Sequence, residues 1–101
     1  MKIKVLIVDD DHTICYVLQG YIEQAGYTAF IAKDGNTAMH LLRREKPDLL
    51  ILDLMLPDKD GWQITQWIRN DKILQALPII MLTARVDDSD KIIGLELGAD
   101  D

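Results

Sequence analysis

Leu49-Leu50-Ile51-Leu52 runs without interruption into Asp53, and the chain then turns through Pro57 and Gly61. Four bulky apolar residues in succession leave no face for water, so the run reads as a strand buried on both sides, as in a parallel sheet. Asp53 then lies at the carboxyl end of that strand, the edge at which open α/β sheets place their chemistry. A carboxylate held there is costly unless something cationic or covalent meets it.

The rest of the chain has the rhythm such a strand requires. Ile3 to Val8 is a β-branched strand that stops at Asp9-Asp10-Asp11. A helix follows, with Asp11 as N-cap, Gly26 as stop, and Ile14, Val17, Leu18, Tyr21, Ile22 and Ala25 on one apolar stripe. Tyr27 to Ala32 is a second strand. Asp34-Gly35 opens a second helix with Ala38, Leu41 and Leu42 inward, ending before Pro47. After the Asp53 strand, Asp60-Gly61 opens a third helix carrying Ile64, Trp67 and Ile68. Pro78 leads into a fourth strand, Ile79 to Leu82, ending at Thr83. A fourth helix is expected from about Asp87-Asp88 through Ile92 and Leu95 to Gly98. Strand and helix alternate four times, which predicts one α/β domain over residues 1–101 with a doubly wound parallel sheet. On this reading a fifth strand and a last helix are missing, and Ile79 to Leu82 is an uncovered edge inviting self-association.

Composition narrows the function. A formal net charge of −6 argues against direct nucleic-acid binding and against an anionic membrane surface. No apolar run has the length of a membrane span or of a signal-peptide core. The single cysteine, Cys15, excludes an internal disulfide, and a cytoplasmic location is expected.

In a parallel sheet Asp9, Asp10, Asp53 and Thr83 emerge at one edge, with the first and third strands adjacent if the sheet is doubly wound. Like charges about 4 Å apart cost on the order of 4 kcal/mol at an effective dielectric of 20. Either one carboxyl stays protonated or a divalent cation neutralises the group. Carboxylates, a backbone carbonyl and water form a hard-oxygen set suited to Mg²⁺ or Mn²⁺. Beside such an ion a carboxylate can act as nucleophile toward a phosphoryl group, and Thr83 offers a hydroxyl to a phosphoryl oxygen.

Val8-Asp9-Asp10-Asp11, Asp53-Leu54-Met55-Leu56-Pro57, Asp60-Gly61, Leu82-Thr83-Ala84-Arg85 and Gly98-Ala99-Asp100-Asp101 together resemble the receiver domain of a two-component response regulator. The last two stretches resemble the subfamily in which a winged-helix DNA-binding domain follows (OmpR/PhoB-like). The resemblance implies a CheY-like, flavodoxin-like strand order 2-1-3-4(-5), truncated at its C-terminus. It implies that Asp53 is the phosphoacceptor, taking a phosphoryl group from a sensor histidine kinase. Asp9 and Asp10, with Asp53 and the Met55 backbone carbonyl, would hold Mg²⁺. Thr83 and Ala84 would form the switch and phosphoryl-binding segment, flanked by Arg85. An output domain controlling transcription would lie outside this chain, and the domain would be a phosphoacceptor, not an enzyme. The family pattern continues past Asp101 with an aromatic switch residue, a phosphoryl-binding lysine and a proline; Lys33, Lys59 and Lys91 do not replace that lysine. Met55 and Arg85, each two residues past a site residue, are expected to shield the acyl phosphate from water and slow its hydrolysis.

Simpler roles suit several neighbours. Asp58 and Asp60 read as loop-solubilising and helix-capping residues, Asp11 as an N-cap, and His12 and His40 as surface groups. Cys15 reads as a packing thiol, Trp67 as core and Trp62 as partly exposed. The alternative function is an interaction or dimerisation module that is not phosphorylated. A phosphohydrolase wants a second acid where Met55 stands, and a flavin site wants phosphate-cradling amides where the acidic Asp9–Asp11 loop stands.

Overall fold

The computed structural model describes residues 2–84 and 93–97. Four parallel strands, β1 (Lys4–Val8), β2 (Thr28–Ala32), β3 (Leu49–Asp53) and β4 (Ile79–Ala84), alternate with α1 (His12–Gln24), α2 (Gly35–Glu45) and α3 (Gly61–Arg69). A fifth strand, β5 (Ile93–Leu97), completes a sheet of order β2-β1-β3-β4-β5. The doubly wound order 2-1-3-4 is the one the family resemblance implies.

Each helix starts at an aspartate, because its carboxylate satisfies N–H groups that the first turn leaves free. Asp11 accepts from Thr13 and Ile14 N–H, Asp34 from Thr37 N–H, and Asp60 from Gln63 N–H in a reciprocal capping box. After α1, Gly26 adopts φ +92°, the left-handed conformation that lets the chain reverse into β2.

The pleat divides the core in two. Leu6, Val8, Leu50, Leu52, Ile79 and Met81 pack against Ala38 and Leu42 of α2 and Ile64 and Ile68 of α3. Val5, Ile7, Ile51 and Leu82 face the other way, against Cys15, Ile14, Leu18 and Ile22 of α1. The α1 stripe is rotated from the expected one: Cys15 is buried, whereas Val17 and Tyr21 are exposed. The segment after α3, to which the sequence assigned no role, adds Leu74 and Leu77 to the larger cluster. Arg69 pins it by donating from Nη1 to the Gln75 and Leu77 carbonyls at 2.6 and 2.8 Å.

Residues 93–97 correct the expectation of a fourth helix over 87–98. They form β5, antiparallel to β4, with Leu97 opposite Ile80 and Ile93 opposite Ala84. Ile93-Gly94-Leu95-Glu96-Leu97 alternates with period two, glycine weakens a helix interior, and β4 offers a row of unpaired backbone groups. The bare β4 edge does not appear as expected: β5 occupies it, running antiparallel to β4 and so distinct from the parallel fifth strand of the expected order 2-1-3-4(-5). The other residues of the expected helix, the Gly98–Asp101 motif and Arg85 lie outside the described residues.

Candidate functional site

Register brings the acidic residues together. Val8 is the partner of both Ala32 and Leu52, so Asp9 and Asp53, each one residue further on, leave neighbouring strands side by side. The pleat turns both toward the α1 face, on the side of Ile7 and Ile51. One carboxylate oxygen from each of Asp9, Asp10 and Asp53 lies within 4.8 Å of the other two. They form the polar end of a cavity of about 360 Å³ whose apolar wall includes Ile14, Val17, Leu18 and Leu82.

That wall explains the titration of the group. Asp9 is only 3% exposed. Burial pushes its pKa up to about 6, against the N–H bond from Asp11, and the charges of Asp53, Asp10 and Asp11 push the same way. Asp53 is half-buried, and its carboxyl is raised too, first by burial and then by Asp10 and Asp11, while bonds from the Met55 and Leu54 N–H groups oppose the shift. Three charges at these separations repel by about 3.5 kcal/mol per pair at an effective dielectric of 20. Among the described residues the salt bridges are Lys4–Glu45 and Arg44–Glu45, so no lysine or arginine pairs with the cluster.

Backbone contacts hold the carboxylates in place. Asp9 N–H donates to the Ala32 carbonyl at 3.1 Å, and Asp9 Oδ1 accepts from Asp11 N–H at 2.9 Å. The Cys15 thiol donates to the Asp9 carbonyl at 3.2 Å, a contact that sequence spacing did not reveal. Asp53 Oδ1 accepts from Met55 N–H at 3.3 Å. Gly61 donates to the Leu54 carbonyl at 2.7 Å, and a Cβ on it would lie 2.8 Å from the Asp53 carbonyl oxygen. Only glycine lets α3 start directly against the chain leaving β3. Leu54 to Asp60 closes as a tight loop with a Met55–Asp60 bridge, and the Met55 side chain is exposed.

The other expected residues are placed as follows. Thr83 and Ala84 end β4, just past Leu82, the strand partner of Asp53. Asp11 caps α1, Trp67 packs on the core, and Trp62, His12 and His40 are exposed. The Lys33 ammonium lies against the His12 ring, 2.5 Å from Nδ1. Lys59 lies across Gly35, not over Asp53. Asp58 does more than solubilise its loop: its carboxylate accepts from the Gly35 and Asn36 N–H groups of α2.

The donor set suits a hard divalent cation. Three carboxylates converge, one of them buried and raised in pKa with no cationic partner among the described residues, and the three ligand atoms that meet are carboxylate oxygens. No helix among the described residues is long and apolar enough to cross a membrane.

Comparison with known proteins identifies the family. The family model "Response regulator receiver domain" matches residues 5–101. The alkaline phosphatase synthesis transcriptional regulatory protein PhoP of Bacillus subtilis (strain 168) is 46% identical over 101 residues, covering 100% of this chain and 41% of that protein. The transcriptional regulatory protein GltR of Pseudomonas aeruginosa is 46% identical over 97 residues, covering 96% of this chain and 40% of that protein. The chain thus spans about two fifths of the length of these relatives. Among solved structures, a response regulator from Chloroflexus aurantiacus J-10-fl superposes with a TM-score of 0.83 at 40% identity, covering 100% of this chain and 83% of that one. The chemotaxis response regulator CheY4 of Vibrio cholerae gives a TM-score of 0.80 at 28% identity, covering 90% and 76%. The chain belongs to the response regulator receiver domain family.

Proposed function

We propose that this domain accepts a phosphoryl group on Asp53 from a phosphohistidine of a sensor kinase, with Mg²⁺ (or Mn²⁺) held by Asp9, Asp10, Asp53 and the Met55 carbonyl. The observation that carries this reading is the convergence of three carboxylate oxygens within 4.8 Å beside an apolar wall, with no basic partner among the described residues. Asp53 Oδ attacks phosphorus, the P–N bond breaks, and its electron pair stays on the imidazole nitrogen of the donor, which takes up a proton. Oδ1 of Asp53 accepts from Met55 N–H, and the other oxygen, Oδ2, is read as the nucleophile. Asp9, fixed by the Asp11 N–H and the Cys15 thiol, sets one side of the site and Asp10 the solvent side. When bound, the cation supplies charge neutralisation and orients the phosphoryl oxygens. Thr83 and Ala84, at the end of the adjacent strand, form the switch segment. The domain is read as a phosphoacceptor, not an enzyme. It would act in the cytoplasm as the regulatory part of a longer OmpR/PhoB-like transcription regulator, in keeping with the names of its relatives.

Titration with Mg²⁺ and then beryllofluoride, followed by amide NMR, tests the reading. Saturable shifts at Asp9, Asp10, Asp53 and Met55, lost in Asp53→Asn, are expected; no saturable shift would refute it. A second reading, an interaction or dimerisation module without phosphoryl chemistry, is favoured by the exposed Tyr16, Val17 and Tyr21 on α1. A chain that self-associates but ignores Mg²⁺ would establish it.

A further inference from the structure

We infer that Asp58 is a positioning residue: its carboxylate clamps the loop after the phosphoacceptor strand onto the N-terminus of α2 and thereby sets the position of Met55. The inference rests on the metal reading above. The start of α2 has three N–H groups to satisfy, at Gly35, Asn36 and Thr37. Its own N-cap, Asp34, takes only Thr37, at 2.7 Å. Asp58, from a loop over twenty residues away, takes the other two: Gly35 N–H to Oδ1 at 2.7 Å and Asn36 N–H to Oδ2 at 3.1 Å. Both oxygens are engaged, so the carboxylate is fixed in orientation as well as position, and the positive end of the helix dipole favours it there. The adjacent Lys59 seals the contact. Its Cβ and Cδ would lie 3.0 and 2.9 Å from a Cβ on Gly35, so the aliphatic stem fits only because residue 35 is glycine.

The loop between Asp53 and Gly61 is held at its base by Gly61 N–H to the Leu54 carbonyl and by Met55 N–H to Asp53 Oδ1 at 3.3 Å, and near its tip by Asp58. Met55 lies between them, tied across the loop to Asp60. Releasing Asp58 leaves the base contacts in place and loosens the tip of the loop, leaving Met55 held only by its bond to Asp53 and its bridge to Asp60.

The test compares Asp58→Ala with Asp34→Ala. Each removes one acidic charge and one cap from the same helix end, but only the first touches the loop. Asp58→Ala is expected to weaken Mg²⁺ binding, measured by calorimetry, by about three- to tenfold, at or below the lower end of the range seen when a ligand loses its supporting hydrogen bond. It is also expected to speed amide exchange at Met55 as well as at Gly35 and Asn36. Asp34→Ala should lower the melting temperature yet leave Mg²⁺ affinity and Met55 exchange unchanged. Asp58→Asn, which keeps one acceptor, should fall between wild type and Asp58→Ala. Equal Mg²⁺ affinity and Met55 exchange in Asp58→Ala and wild type, or equal losses in the two alanine variants, would overturn the clamp. If wild type binds no Mg²⁺, the metal reading fails, and Met55 exchange in metal-free protein still decides the clamp.

Discussion

Replacing Asp9 by Asn should stabilise the metal-free protein while removing its capacity to bind Mg²⁺. Folding carries Asp9 from water into a buried position beside Asp53 and Asp10 and raises its pKa from 3.8 to about 6. The folded chain thus binds this proton more tightly than the unfolded chain. Stability present below pH 4 is lost as the pH rises through 6, and is fully lost by pH 7 or above. At about 1.4 kcal/mol for each tenfold change in proton affinity, the loss has a ceiling of about 3 kcal/mol. Asparagine removes the charge and keeps an oxygen to accept from the Asp11 N–H, a bond whose preference for the charged form is already contained in that net shift. A net gain of about 1–3 kcal/mol at pH 7.5 follows, or roughly 4–24 °C in melting temperature for a domain of this size. Urea and thermal unfolding in EDTA at pH 7.5 and 4.5 measure it. The gain should be largest at pH 7.5 and shrink to about a third at 4.5, where most unfolded but few folded chains have lost the proton, and added Mg²⁺ should stabilise wild type but not Asp9→Asn. A variant less stable than wild type at pH 7.5, or a gain independent of pH, would refute the electrostatic account.

Three further outcomes follow from the same geometry. Gly61→Ala forces a Cβ to within 2.8 Å of the Asp53 carbonyl oxygen and 2.9 Å of Leu54 Cα, and should cost about 1–3 kcal/mol; an unchanged urea midpoint would contradict the close approach. The Cys15 thiol is buried, its pKa raised by burial and then by Asp9, so it should resist a disulfide reagent in the native state and react fully in urea; rapid native reaction would show that α1 does not pack as described. Met55 exposes a large apolar side chain at the site, and Met55→Asn should shorten the lifetime of phosphorylated Asp53; an equal lifetime would remove its shielding role.

The elements legible in the sequence are those with a redundant local signal. Leu49 to Asp53 has an apolar run and a turn on its far side, and each of Asp11, Asp34 and Asp60 stands where a helical period begins; all appear as read. The Asp9–Asp53 pairing was legible because parallel strands in a doubly wound sheet align their carboxyl ends. Residues 93–97 were not. Ile92 and Leu95 suit a helical period, while Ile93, Leu95 and Leu97 suit a strand equally well, and the open edge of β4 decided between them. On α1 the apolar set is too broad to fix the buried face, and Cys15, not Tyr21, turned inward. Asp58 looked like any loop acid, because its partners at Gly35 and Asn36 are neighbours only after β1 and β3 have paired.

Asp53 is the proposed nucleophile of a cation-dependent phosphoryl acceptor. Intact-mass measurement after incubation with a small-molecule phosphodonor, with Mg²⁺ or with EDTA, tests it most directly. One added phosphoryl group is expected in Mg²⁺, mapped to the Asp53 peptide, absent in EDTA and absent in Asp53→Asn. Modification that persists in Asp53→Asn, or none in Mg²⁺ from a donor that labels another receiver domain in parallel, would contradict it.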